Sequence, residues 1–123
     1  MHLPARAATL IAMSEHEIPV LMTPPRLTAE TVPLFARVTV AYQERDLILD
    51  LSETEWITSA GLGHLVMLGR TLAEHGARLA FVGASRTVER LLDTIGLSRL
   101  MPHFTSVDEA ATWMRSPERD EEA

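Results

Sequence analysis

The chain has 123 residues, enough for one domain that buries about two-thirds of its unfolded surface in a single core. With 46% hydrophobic, 23% charged and 5% aromatic residues it has the composition of a globule with an aliphatic core, which excludes fibrous and disordered classes. A formal net charge of -6, scattered arginines and no lysine argue against binding to nucleic acid or to an acidic membrane surface. The absence of cysteine excludes a disulfide framework and a thiolate zinc site, and it fits a reducing cytoplasm, where the chain is expected to reside.

The first apolar run, Ala7 to Met13, is interrupted by Thr9 and is too short for a signal-peptide core or a membrane span. Thr9 to Met13 and Ile18 to Met22 read as two strands joined through Ser14-Glu15-His16-Glu17, a hairpin at a sheet edge. Pro19 cannot donate to a central ladder, so the second strand either faces solvent on one side or begins at Val20. Thr23-Pro24-Pro25 forces an extended exit, and Arg26 to Pro33 reads as a loop entering the first helix. Thr28 or Thr31 can cap that helix, Pro33 fits only its first turn, and Phe35, Val38 and Tyr42 follow at helical spacing. Gln43 to Asp46 is its polar exit.

Leu47 to Gly63 is the most informative stretch. A branched apolar run, Leu47, Ile48, Leu49 and Leu51, has the pattern of a buried strand. It passes through a polar link and a second apolar pair, Trp56 and Ile57, before small residues open a periodic helix. Thr58 and Ser59 are N-cap residue types at that helix start, while Ala60, Gly61 and Gly63 let another molecule approach its first turn. Free backbone N–H groups make this turn mildly positive, a suitable place for a phosphate. Along the helix, Leu62, Leu65, Val66, Gly69, Leu72 and Ala73 define the buried face. Burial of its leucines and valine contributes about 1.5 to 3 kcal/mol each before entropy is subtracted. The opposite face presents Gly63, His64, Met67, Arg70 and Glu74, and an exposed methionine among small residues suits a partner surface.

His75-Gly76 ends the helix and Arg78 to Val82 forms another strand, a βαβ unit with parallel pairing and a right-handed crossover. Gly83-Ala84-Ser85 turns into a third helix, capped by Ser85, with Val88, Leu91, Leu92 and Ile95 inward and Gly96 at its end. Met101 to Phe104 reads as a short strand and Val107 to Met114 as a final helix. Trp56 and Trp113 read as core or rim packing, and residues 115–123 as an acidic, frayed tail.

The stretch from Leu47 to Gly63 closely resembles the signature of the STAS family, which includes the anti-sigma factor antagonists. There, a strand reading Leu-Asp-Leu-Ser leads into Phe-Ile-Asp-Ser-Ser-Gly-Leu-Gly. Trp56 stands for the aromatic, Ser59 for the first serine, and Ile57, Gly61, Leu62 and Gly63 match without a gap. Thr58 replaces the aspartate and Ala60 the second serine. Arg26 to Pro33 resembles the family's Gly-Arg-Leu-Asp-Ala-Ala-Thr-Ala-Pro, with Thr28 where aspartate is usual, and Thr94 to Leu100 resembles its Thr-Gly-Leu stretch. The resemblance covers Ile18 to Met114. It implies an α/β fold: one STAS domain over residues 18–114, a mixed four- to five-stranded sheet with about four helices packed mainly on one face. Residues 1–17 then form an N-terminal extension and edge strand.

The resemblance makes Ser59 the candidate phosphorylation site of a partner serine kinase. It implies an anti-sigma factor antagonist that docks on an anti-sigma factor kinase through Thr28, Thr58, Ser59, Ala60, Gly61, Leu62, Gly63, Met67 and Arg70. A phosphatase is the implied second partner. The two threonines in place of aspartates remove two charges from one surface and imply altered regulation. They favour the alternative, a STAS scaffold or regulatory subunit of a signalling or transporter complex that is never phosphorylated. Without the resemblance, a serine before a helix is most simply a cap worth about 1 kcal/mol.

Enzymatic readings find little support. The histidines at 2, 16, 64, 75 and 103 form no ligand pair on a helical face, and no Gly-x-Ser-x-Gly elbow is present. Gly61-x-Gly63 lacks the third glycine of a dinucleotide fingerprint, and Arg70 stands where a phosphate loop needs lysine. Asp50 and Asp93 fall on different elements. No catalytic residue, metal ligand or cofactor is therefore expected.

Overall fold

Leu47, Ile48 and Leu49 have no exposed surface because β4 (Leu47–Asp50) is the middle strand of the main sheet. The computed structural model describes residues 10–13 and 18–116. On one side β4 pairs in parallel with β2 (Pro19–Met22), on the other with β6 (Leu79–Val82). β1 (Leu10–Met13) adds an antiparallel edge to β2, and β7 (His103–Phe104) a parallel edge to β6, giving the order β1-β2-β4-β6-β7.

Strand alternation divides the core between the two faces. Leu21, Leu47, Leu49, Leu79 and Phe81 pack on one face against α1 (Val32–Thr39), α2 (Ser59–Glu74), α3 (Arg86–Thr94) and α4 (Leu97–Leu100). Val20, Ile48, Ala80 and Val82 turn to the other face, which α5 (Val107–Met114) covers with Ala110, Ala111 and Met114. The mixed α/β sheet with helices mainly on one face is thus the expected architecture.

Local chemistry starts the helices. Ser85 Oγ accepts the Val88 N–H at 3.1 Å and Ser106 Oγ accepts the Glu109 N–H at 3.1 Å. Glu109 in turn accepts from the Thr105 N–H and hydroxyl, and those bonds hold its carboxyl below the usual carboxylate range. Thr31 occupies the N-cap position of α1, yet its hydroxyl makes no cap bond. It donates to the Arg26 carbonyl at 2.6 Å and accepts the Thr28 N–H at 2.9 Å, tying the incoming loop to itself.

Several expectations need correction. β1 is an edge strand, as expected, while β2 is internal rather than solvent-facing: Pro19 is its first residue and the ladder to β4 starts only at Val20, so no central hydrogen bond is lost. The joining segment 14–17 and residues 1–9 and 117–123 lie outside the described residues. Leu68 belongs to the buried stripe of α2 with Gly61, Leu65 and Leu72, whereas Ala73 is exposed, so the stripe is rotated from the expected one. Ile95 is 46% exposed because it is the residue at which α3 ends, not part of its inner face. Gly96, with φ 79°, then allows a one-turn helix, α4, where no element was expected. Consequently the last strand shrinks to β7, and Met101 is buried beneath α2.

Candidate functional site

The loop between β4 and α2 is held by a second segment, the one that leads from β2 towards α1. Thr54, 2% exposed, has its hydroxyl 3.2 Å from the Thr23 carbonyl and 3.0 Å from that of Pro24. The Glu55 N–H donates to the Pro25 carbonyl at 2.7 Å. Two-residue strands then pair in parallel, β3 (Arg26–Leu27) with β5 (Trp56–Ile57), a small sheet apart from the main one. Only one residue of each pair can face inward. Leu27 and Ile57 do, which turns Arg26 and Trp56 outward and leaves Trp56 54% exposed.

The small sheet ends on the Leu27 carbonyl, which accepts the Thr58 N–H at 3.0 Å. Thr58 is the N-cap of α2, extended at φ -89° and ψ 176°. Its hydroxyl lies 3.5 Å from the Gly61 N–H and 3.4 Å from the Leu27 carbonyl. Gly61 is buried against that same carbonyl; a Cβ there would collide with Leu27 O and approach the Leu27 and Ile57 side chains. Gly61 therefore supports the surface from beneath.

Ser59 is the first helical residue, one past the cap, and it is exposed. Among the described residues none bonds its hydroxyl, and Thr58 does the capping. Ala60, Gly63, Met67 and Arg70 continue outward along α2 at three- and four-residue steps, and all are exposed, Met67 by 64%. Thr28 and Leu62 are half-buried at the margin. Thr28 follows Leu27 directly, so the two threonines that replace aspartates flank the end of the small sheet. Its hydroxyl accepts the Glu30 N–H at 3.2 Å.

Beside Ser59 a cleft of about 680 Å3 opens between the start of α2 and α3, walled by Trp56, Leu62, Arg90 and Leu91. Trp56 and the α3 wall were not among the expected site residues. The signal for Trp56 was its place next to Ile57, since adjacent residues in a strand cannot both be buried from one side. His64 anchors the rear of α2: its ring meets Phe35 edge-on at 5.5 Å and its Nε2 lies 3.5 Å from the Thr39 hydroxyl. Burial pushes the His64 pKa down. No first-turn acid competes with an incoming anion at α2. Among the described residues no group of three or more His, Cys, Asp or Glu could hold a metal, and no helix is long and apolar enough to cross a membrane.

Comparison with solved structures finds the same architecture. The Thermotoga maritima protein TM1081, assigned as an anti-sigma factor antagonist, superposes with a TM-score of 0.70 at 26% identity over 79% of this chain and 88% of that one. The phosphorylated form of the Bacillus cell fate determinant SpoIIAA matches at 0.64 and 21% identity, covering 88% of this chain and 99% of that one. The fold also occurs within the murine anion transporter Slc26a9, at 0.68 and 18% identity over 80% of this chain and 18% of that one. No curated protein matches the chain significantly. The STAS domain model matches residues 15–110, from just before β2 into α5, and so takes in the small sheet, every strand of the main sheet but β1, and the whole of α2. The chain belongs to the STAS domain family.

Proposed function

We propose that the protein is a non-catalytic, cytoplasmic adaptor, an anti-sigma factor antagonist whose partner is an anti-sigma factor serine kinase. Unmodified, it docks through the start of α2 and frees the sigma factor; phosphorylation of Ser59 by that kinase reverses the capture, and a phosphatase restores it. The observation that carries this reading is Ser59 itself, exposed at the first position of α2 with its hydroxyl unbonded among the described residues, while Thr58 alone caps the helix. The docking surface comprises Trp56, Thr58, Ser59, Ala60, Leu62, Gly63 and Met67, with Thr28 and Arg70 at its ends.

Phosphate at this position brings about -1.5 to -2 charges at pH 7 to a helix N-terminus, which tolerates anions. The helix stays folded. What changes is the interface, where a bulky hydrated dianion now stands among small residues. A loss of about 3 kcal/mol weakens binding more than a hundredfold.

A specific observation favours a second reading, a scaffold that is never phosphorylated. Neither Thr28 nor Thr58 supplies the carboxylate usual in the family, and the Thr58 hydroxyl is engaged with Gly61 and Leu27. Incubation with an anti-sigma factor serine kinase and ATP, followed by intact-mass measurement and peptide mapping, separates the two. One added phosphate on Ser59 supports the switch, and an unmodified chain supports the scaffold.

A further inference from the structure

A second cleft of about 480 Å3 lies between the last turns of α2, α4 and the flank of α5. Arg70, Arg78 and Arg99 line it, with Arg70 and Arg99 exposed, and no carboxylate does. In a chain with 17 acidic residues against 11 arginines, two exposed arginines at a cleft that no acid lines are a local reversal of charge. Among the described residues, neither Arg70 nor Arg99 has a carboxylate within ion-pair distance. Arg99 is in the single turn of α4, and Arg70 stands on the outer side of α2 before its last turn.

The rest of the cleft is apolar and shaped by tight packing. Gly69 lets Met101 lie against α2, since a Cβ there would stand 2.5 Å from the Met101 sulfur. Leu100 is 70% exposed at the rim. Trp113 forms the far wall and is fixed by Arg78, whose guanidinium carbon sits 4.1 Å from the ring centroid. The volume is that of a small-ligand site, and a few charges beside an apolar wall are what such sites use to orient a ligand.

We propose that this cleft binds a small organic anion. Its carboxylate, sulfonate or phosphate head is held by Arg70 and Arg99, and its aromatic or aliphatic body lies on Leu100, Met101 and Trp113. The site shares Arg70 with the far end of the proposed docking surface but does not involve Ser59.

The test uses the full chain carrying Trp56→Phe, which leaves Trp113 as the only tryptophan, titrated with naphthalene-2-sulfonate and with the neutral 2-naphthol. The sulfonate is expected to change Trp113 emission saturably below about 1 mM, with 2-naphthol about tenfold weaker or worse. Arg70→Gln with Arg99→Gln, both at exposed positions and checked for an unchanged thermal midpoint, is expected to weaken sulfonate binding about tenfold or more. No saturable change, equal affinity for the neutral analogue, or full affinity in the double variant overturns the proposal.

Discussion

The carbonyl of Leu27 receives the Thr58 N–H at 3.0 Å and is the surface against which Gly61 packs, so one backbone oxygen sets both the cap and the depth of α2. Ser59, between these two fixed residues, has its direction determined for it.

Gly61 and Gly63 should therefore respond oppositely to alanine. At Gly61 a methyl group meets Leu27 and Ile57, and overpacking of this kind costs about 1 to 3 kcal/mol. At Gly63 nothing stands within 4 Å, and replacing a mid-helix glycine stabilises by up to about 1 kcal/mol. Thermal unfolding should rank Gly63→Ala above wild type and Gly61→Ala below it. Equal midpoints for the two variants would contradict the packing described.

Thr58→Ala should lower stability by about 0.5 to 1 kcal/mol, the smaller end of cap effects, because the hydroxyl-to-Gly61 distance is a long 3.5 Å. Thr58→Asp should recover that loss, since a carboxylate is a good cap and suits the positive end of the helix. The same substitution should also speed modification of Ser59 by an anti-sigma factor serine kinase. Chemical denaturation and a phosphorylation time course check the two halves separately.

How much of this was visible beforehand depends on the range of the interactions. The central strand, α5 and the Ser85 cap are specified by residues within a few positions of one another, and each is found where its pattern put it. β3 and β5 are too short for alternation to register, and their pairing joins residues 30 positions apart. That is why Trp56 read as packing, and why Gly61 read as surface although the approach of Leu27 buries it. The Leu68 and Ala73 positions show the same limit: a helical stripe is broad enough that only the neighbouring sheet decides its centre.

Trp56 offers a test that separates binding from folding. Half out of the core, it should cost little stability when replaced, and Trp56→Ala should keep a thermal midpoint near that of wild type. An aromatic anchor beside a cleft is a typical hot spot, so capture of the kinase partner should fall by about 2 kcal/mol, roughly thirtyfold. Unchanged capture would remove Trp56 from the docking surface.

His64 makes stability depend on pH with a definite sign. Burial holds its pKa below the ordinary 6.5, so on acidification the unfolded chain takes up a proton before the folded one. The contribution is intact above that ordinary value and is lost as pH falls towards the folded-state value. Urea midpoints measured between about pH 7.5 and 5 should decline more steeply for wild type than for His64→Gln. Parallel slopes would show that the ring is not buried against Phe35 and Thr39.

The decisive measurement compares the affinity of an anti-sigma factor serine kinase for wild type, Ser59→Ala and Ser59→Asp by calorimetry, with thermal midpoints recorded alongside. Wild type and Ser59→Ala should bind alike, and Ser59→Asp should bind about a hundredfold more weakly or not at all while melting at nearly the same temperature. Equal affinity for all three variants would contradict a switch at the head of α2.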